Sequence, residues 1–336
     1  MPKTQSRTST GRRNLVAACI TVLSVGVLYS SFDPVPAGEE TLSKTAPVIP
    51  EFDESSVPMP VEAVEASELV ADATDVAEPV AVDTSDDGIR RRAVAGESLS
   101  NIETVRFCTL LLKDGLRFIE GYNTYTVTFH REERIEGDMK SQQSIDMKVQ
   151  HGPHFAVYMK WLTGEKGQQV LFSEEYDDGC MVVKFGGFRR LLPALRIDPT
   201  SSVAMAETRY PVTEAGMAGM IRQILTHREA DIARNSGLSC VRLEDREFDG
   251  RNCYCFLMKY DSQDINKTYR KTIMMIDAER HLPVMVRNFT WSTDDSIAEA
   301  ELDAETLIED YSFTDLQVET DLVAQDFSRD NPAYRM

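Results

Sequence analysis

Apolar residues recur at helical spacing between Glu97 and Glu120, where Ile102, Val105, Leu112, Leu116 and Ile119 share one face. Ser98 or Ser100 is placed to cap that helix, and Gly121 to stop it. From Tyr125 the period falls to two. Tyr125, Val127 and Phe129 alternate with Thr126, Thr128 and His130; Ile145, Met147 and Val149 alternate with Ser144, Asp146, Lys148 and Gln150. Such alternation predicts half-buried antiparallel strands, with Gly137 and Asp138 in the turn between them. Further strands are predicted within His151–Trp161, near Gln169–Ser173 and over Cys180–Phe185. The pattern then breaks at "GGFRRLLPALRIDP", Gly186 to Pro199. A second helix carries Met217, Met220, Ile221, Ile224 and Leu225 on one face, with Thr213 as its expected N-cap and Gly237 as its stop. A hairpin turning at Asp249-Gly250 and strands over Tyr269–Ile276, Val284–Trp291 and Thr306–Leu316 complete the chain. The order predicts an α+β domain built on one large antiparallel sheet of about ten strands.

Register decides how "HGPHFAVYMKW", His151 to Trp161, is read. A two-residue Gly152-Pro153 loop places Ile145, Met147 and Val149 opposite Lys160, Tyr158 and Ala156. A three-residue loop, Gly152 to His154, places them opposite Trp161, Met159 and Val157. A shift of one residue exchanges the faces of a strand. The three-residue loop keeps one apolar face, so it is the expected register. His151 then ends one strand and His154 sits at the loop tip, and nothing brings a third metal ligand to them.

Composition divides the chain further. Between Gly38 and Gly88 there are fourteen acids, Glu39 to Asp87, against the single basic Lys44, and the one aromatic is Phe52. A segment like this buries too little apolar surface to offset its ordering entropy. Residues 38–94 are therefore expected to form a disordered acidic linker. It holds most of the formal net charge of −19. Ahead of it, Lys3, Arg7, Arg12 and Arg13 precede an apolar run from Leu15 to Tyr29. A basic region followed by about 15 apolar residues suits a secretory signal, and is slightly under the about 20 of a full span. Residues 1–37 are read as a signal peptide or an N-terminal anchor in the cytoplasmic membrane. Both place residues 95–336 outside the cytoplasm, in the periplasm or at the outer face of that membrane. Acidity argues against nucleic acid as a partner.

The chemistry searched for is mostly absent. There is no G-x-S-x-G elbow, Walker loop, dinucleotide fingerprint or H-E-x-x-H, so no catalytic residue, metal ligand or cofactor is expected. "SEEYDDG", Ser173 to Gly179, places four carboxylates at a hairpin tip, read as a solvated turn. Cys253 and Cys255 share one strand face, where they suit buried small apolar positions; a disulfide from Cys240 to one of them is the alternative. "FRRLLPALRI" mixes Phe188, Leu191, Leu192, Leu195 and Ile197 with Arg189, Arg190 and Arg196. It reads as a connection packed on the core, as a gate over a cavity, or as a patch facing anionic lipid or a partner.

Several segments resemble a known family. "YTVTFHREERIEG", "QSIDMKVQHGPHFAVYMKW", "DPTSSVAMAETRYPVTEAGM", "EDYSFTDLQVETDL" and "DFSRDNPAYRM" resemble, in that order, the bacterial domain of unknown function 1571, from about Leu99 to the C-terminus. That family carries no assigned activity. More loosely, "MMIDAERHLPVMVRNF", Met274 to Phe289, is similar to a hairpin of periplasmic lipoprotein carriers and related sigma-factor regulators. This second resemblance implies an unclosed, strongly curved half-barrel whose apolar concave face is covered by helices and able to hold acyl chains. The residues expected to line it are Tyr125, Val127, Phe129, Ile145, Met147, Val149, Val157, Met159 and Trp161, with Phe188, Leu191 and Leu192 as its gate. Expected partners are a lipid or lipoprotein acyl chain. The alternative is a membrane-tethered module that meets another envelope protein and holds no ligand.

Overall fold

A computed structural model describes residue 47 and residues 82–294, 296–334 and 336. All belong to the second of two units into which the chain divides, residues 43–336. The expected signal or anchor, 1–37, and most of the expected linker lie outside the described residues.

The last part of that linker is folded, which moves its expected boundary. Helix α1 spans Asp86–Val94. Ser85 caps it by accepting from the Gly88 N–H, Asp86 and Asp87 occupy its positive end, and Arg91 and Arg92 its negative end. Ile89 and Ala93, one helical turn apart, are buried. Arg92 pairs with Glu103, and Arg242 donates to the Ala93 carbonyl at 2.8 Å. Counted as one acidic stretch, these charges suggest a solvated coil; placed on a helix, each sits at the end of the dipole that favours it.

Helix α2, Asn101–Glu120, begins later than its apolar spacing suggested, because Ser100 and Glu103 form a reciprocal capping box. The sheet follows: β1 Thr124–Ile135, β2 Asp138–Met139, β3 Gln143–Gln150, β4 Ala156–Trp161, β5 Gln169–Ser173, β6 Met181–Lys184 and β7 Leu195–Ile197. After the short helix α3, Ser202–Met205, comes α4, Met217–Arg234. Then β8 Leu238–Phe248, β9 Arg251–Tyr260, β10 Lys271–Asp277 and β11 Pro283–Phe289 lead through α5, Glu299–Thr306, to β12 Leu307–Gln317.

The strands form one antiparallel sheet in the order β7-β6-β5-β4-β3-β1-β12-β11-β10-β9-β8, with β2 paired to β1. It does not close: β7 and β8 are its edges. The central link is β1 with β12, so the last strand joins two consecutive meanders. The sheet has twelve strands rather than about ten. The additional ones, β2 and β7, have two and three residues, too few to show a period.

The β3–β4 register is the one that keeps a single apolar face. Ile145 pairs with Trp161, Met147 with Met159 and Val149 with Val157. Asp249 and Gly250 both take positive φ, 51° and 71°, as a two-residue hairpin requires. The ends of α4 differ from expectation. Gly216, not Thr213, is its N-cap, and Asn235, in the left-handed region at φ 59°, ends it before Gly237. Thr213 lies in a separate 3-10 turn, Val212–Glu214.

The two faces of the sheet are covered differently. On the outer face of β3–β5, the C-terminal segment stacks Tyr334 on Tyr158 with centroids 3.7 Å apart, and Lys148 donates to Asp326 at 2.6 Å. Cys240 lies in the cluster on the inner face, whereas Cys253 and Cys255 lie in the cluster on the outer face. The expected alternative of a disulfide between them is therefore overturned: the sheet separates the sulfurs. Burial pushes the Cys253 thiol up to about 12 and the Cys255 thiol to about 11, so both stay protonated.

Candidate functional site

The inner face is built from three rows of side chains that cross neighbouring strands. One row runs Tyr125, Val149, Val157, Phe172. The next runs Val127, Met147, Met159, Val170, Val183, Leu195, from the centre of the sheet to edge strand β7. The third joins Trp161 and Ile145 to Phe129 and Phe313. Phe129 stacks on Phe313 with centroids 4.9 Å apart. The structure therefore brings all nine expected lining residues onto one face. Eight are buried and Phe129 is half-buried.

Helices α2 and α4 cover this face. Helix α2 contributes Val105, Phe107, Leu111, Leu112 and Ile119, and Phe107 meets Tyr254 and Phe256 of β9 edge-on and tilted. Helix α4 contributes Met217, Ala218, Ile221 and Leu225. In this conformation the face is filled by the protein's own side chains.

The seating of α4 is uneven. At its start, the Met217 N–H donates to the Tyr125 hydroxyl at 2.9 Å, so a residue of the sheet satisfies the first turn of the helix. Gly216 takes φ 89° and ψ 176°, a region nearly exclusive to glycine, and a Cβ there would fall 2.5 Å from the Tyr125 hydroxyl oxygen. Ala218 and Gly219 follow, Gly219 packed so closely that a Cβ would lie 1.9 Å from the Glu214 carbonyl oxygen. A cleft of about 700 Å³ opens beside them, bounded by Glu120 and Asn123 at the end of α2, by His151, Gly152 and Phe155, and by Arg222 and Gln223.

Toward its other end α4 buries charge. Arg228 and Asp231 are both almost wholly enclosed and lie 3.1 Å apart; Arg228 donates to the Tyr260 hydroxyl at 2.6 Å, and that hydroxyl donates to Asp231 at 2.9 Å. Arg228 Nε and Nη1 are buried without any acceptor among the described residues. Orphaned donors of this kind cost about 1–3 kcal/mol each. The closed seat of α4 carries that cost.

The two histidines of "HGPHF" do not converge on a site. His151 packs against the Tyr125 ring with centroids 5.3 Å apart, and its Nε2 is buried without a partner among the described residues. Burial, with the nearby Arg222 guanidinium, holds its pKa below the usual histidine value, so it is neutral. His154 is exposed at the loop, and its carbonyl accepts from Gln150. The carboxylates of "SEEYDDG" also have separate partners. Glu174 accepts from the Phe155 N–H at 2.9 Å, and Asp178 pairs with Arg196 at 2.9 Å.

The expected gate residues lie apart from the lining. Gly187–Leu191 form a 3-10 turn in which Phe188 is 92% and Leu191 88% exposed, and Leu192 is also exposed. None of the three borders the cleft.

A polar network on the same face escaped the sequence reading. Glu309 on β12, 1% exposed, accepts from Arg209 Nε at 2.5 Å, from the Tyr210 hydroxyl at 3.0 Å and from Asn288 at 2.7 Å. Beside it, Glu133 accepts from the Tyr311 hydroxyl at 2.6 Å. Burial, then the Glu309 charge, pushes the Tyr210 and Tyr311 hydroxyls far above their usual range. The network ties the segment 199–216 across the sheet ahead of α4. Its sequence signal is the phase of β12: Glu309 has the same parity as Tyr311 and Phe313, which puts a carboxylate on an apolar face.

No curated protein matches the chain. Among solved structures, the MucA/MucB complex of Pseudomonas aeruginosa overlaps with a TM-score of 0.38 at 12% identity, covering 66% of this chain and 60% of that one. Lipoprotein LppX of Mycobacterium tuberculosis gives 0.36 at 13%, covering 64% and 98%. A putative outer membrane lipoprotein-sorting protein domain from Vibrio parahaemolyticus gives 0.32 at 11%, covering 68% and 98%. Overlap at these scores adds nothing to the strand order described above. The family model described as a protein of unknown function, DUF1571, matches residues 122–336, from Tyr122 just after α2 rather than from Leu99. That match takes in more than half of the chain, which therefore belongs to the domain of unknown function 1571 family.

Proposed function

We propose that this is an exported, non-enzymatic binding protein of the bacterial cell envelope. It holds an apolar ligand, a lipid or a lipoprotein acyl chain, between the inner face of the sheet and helix α4. The reading of export rests on the basic and apolar pattern of residues 1–37. The single observation that carries the ligand reading is a continuous apolar face beneath a helix seated imperfectly on it. The row from Val127 to Leu195 gives an acyl chain an unbroken apolar track to the rim of the sheet. The cleft beside Ala218 and the two orphaned nitrogens of Arg228 lower the cost of lifting α4. A ligand that displaces it gains apolar contact, worth about 25 cal/mol per Å² buried.

One observation favours a second reading. Eight of the nine lining residues are already buried by the protein's own helices, as in a plain core. A tethered protein-interaction module with no ligand needs nothing more. Native mass spectrometry of the purified full-length protein, before and after lipid extraction, separates the two. The ligand reading expects additional mass that extraction removes. A mass equal to the bare chain in both samples contradicts it and leaves the interaction module.

A further inference from the structure

The turn between β6 and β7 presents two large apolar side chains to solvent. Phe188 and Leu191 are 92% and 88% exposed, far above any apolar side chain of the sheet. They stand three residues apart in a 3-10 turn, where three residues make one revolution, so both project from the same side.

The backbone beneath them is fixed. Gly186 is packed so closely that a Cβ would lie 2.5 Å from the Lys166 carbonyl oxygen and from the Gln168 nitrogen. The Gly187 N–H donates to the Lys166 carbonyl at 3.2 Å, and Lys184 donates to the Leu192 carbonyl at 2.7 Å. Arg189 pairs with Glu165 at 3.2 Å and lies over the Phe185 ring at 4.9 Å. A turn anchored this way holds its two apolar tips in water instead of folding them onto the nearby core. The one ring contact to either is the Arg189 guanidinium, 5.9 Å from the Phe188 centroid.

Charge selects what covers them. The chain as a whole is −19, yet from Lys184 to Ile197 it carries Lys184, Arg189, Arg190 and Arg196 and no acid. Arg190 is exposed and has no ion-pair partner among the described residues. Arg189 pairs with Glu165 and Arg196 with Asp178, so Arg190 and Lys184 are the cations beside the tips without an ion pair among the described residues. Projecting apolar tips beside these cations match an anionic bilayer surface, whose acyl region takes Phe188 and Leu191 while its headgroups meet Arg190 and Lys184. A protein partner of similar area needs a matching apolar socket, and a convex two-residue tip offers it little surface. We propose, accordingly, that the turn at Gly187–Leu191 seats the protein on anionic phospholipid. The proposal does not require the inner face to hold a ligand.

The test uses the full-length chain with Phe188→Trp, read against the parent chain, whose own tryptophans are Trp161, buried, and Trp291, half-buried. Vesicles of phosphatidylglycerol or of phosphatidylcholine carry brominated acyl chains, which quench a tryptophan that enters the bilayer. The basic residues 3–13 also favour phosphatidylglycerol, so the turn is read from quenching at position 188 itself and from its loss in the turn variants. The expected result is quenching of the Phe188→Trp emission on phosphatidylglycerol, lost on phosphatidylcholine, at high salt, or with Arg189→Glu and Arg190→Glu together. Leu191→Ser in the same chain should weaken it roughly tenfold or more, from the apolar area withdrawn. Leu191→Trp gives an independent readout if the first variant folds poorly. No quenching at either position, or equal quenching on both lipids, overturns the proposal. So does a blue shift that appears only with a lipid-free envelope protein, which assigns the tip to a protein partner.

Discussion

The centre of the sheet and the turn at Gly187–Leu191 have similar apolar residues and opposite environments. Val127, Met147 and Met159 are buried in one cluster with side chains of α2 and α4, while Phe188 and Leu191 stand in water. The difference is set by what lies across from each. Strands β1, β3 and β4 alternate, so half their residues are committed to one face, and α2 and α4 present matching apolar faces to it. The turn has no facing element among the described residues, and its backbone bonds keep it from reaching one. Apolar content alone therefore does not separate a core from a contact surface; the presence of a partner element does. A ligand can enter the first region only by replacing a helix, whereas the second is already open.

The sharpest way to break this contrast is to remove volume from the buried side. Trp161→Ala should destabilise the fold by about 3–5 kcal/mol, measured by urea unfolding. A loss under about 1 kcal/mol would mean that the face is already loosely filled. Arg209→Ala comes next. It leaves the Glu309 carboxylate buried with only Tyr210 and Asn288 donating, for a cost of about 2–4 kcal/mol. Gly216→Ala should cost about 1–3 kcal/mol, because the Gly-only backbone region and the Tyr125 hydroxyl both oppose a Cβ. Tyr125→Phe removes a single hydrogen bond to α4 and should cost about 1 kcal/mol.

His151 gives a pH test of the same seam. Its pKa is lowered in the folded state by burial and Arg222, with Glu120 opposing; the facing groups also include the Tyr125 ring. The unfolded chain then binds more protons than the folded one as pH drops toward and below 6.5, so folding stability falls on acidification. His151→Phe should flatten that part of the stability–pH curve; an unchanged slope would remove His151 from the account. The smallest effect belongs to the turn. Phe188→Ser should move stability by no more than about 0.5 kcal/mol, since the side chain is almost wholly exposed and meets only the distant Arg189 guanidinium.

Much of this fold is legible in the chain. Period-two alternation marks β1 and β3, and the demand for one apolar face picks the β3–β4 register. What escapes is of two kinds. Helix α1 was hidden because its charges were counted as a sum, when Asp86, Asp87, Arg91 and Arg92 act by position. The Arg209–Glu309 network was hidden because it joins residues a hundred positions apart, across strands whose neighbours only the strand order β1–β12–β11 determines. The nine lining residues were legible as a face. That α2 and α4 fill this face, and that Phe188, Leu191 and Leu192 stand away from it, depends on tertiary packing that periodicity does not encode.

The central claim is that the inner face, not the turn, holds the ligand. Photo-crosslinking with a diazirine-bearing long-chain fatty acid tests it most directly, with adducts on the full-length protein mapped to peptides. The account predicts adducts in β1, β3, β4 and α4, competed by unlabelled fatty acid. Adducts confined to residues 187–192, or none that competitor removes, would contradict it.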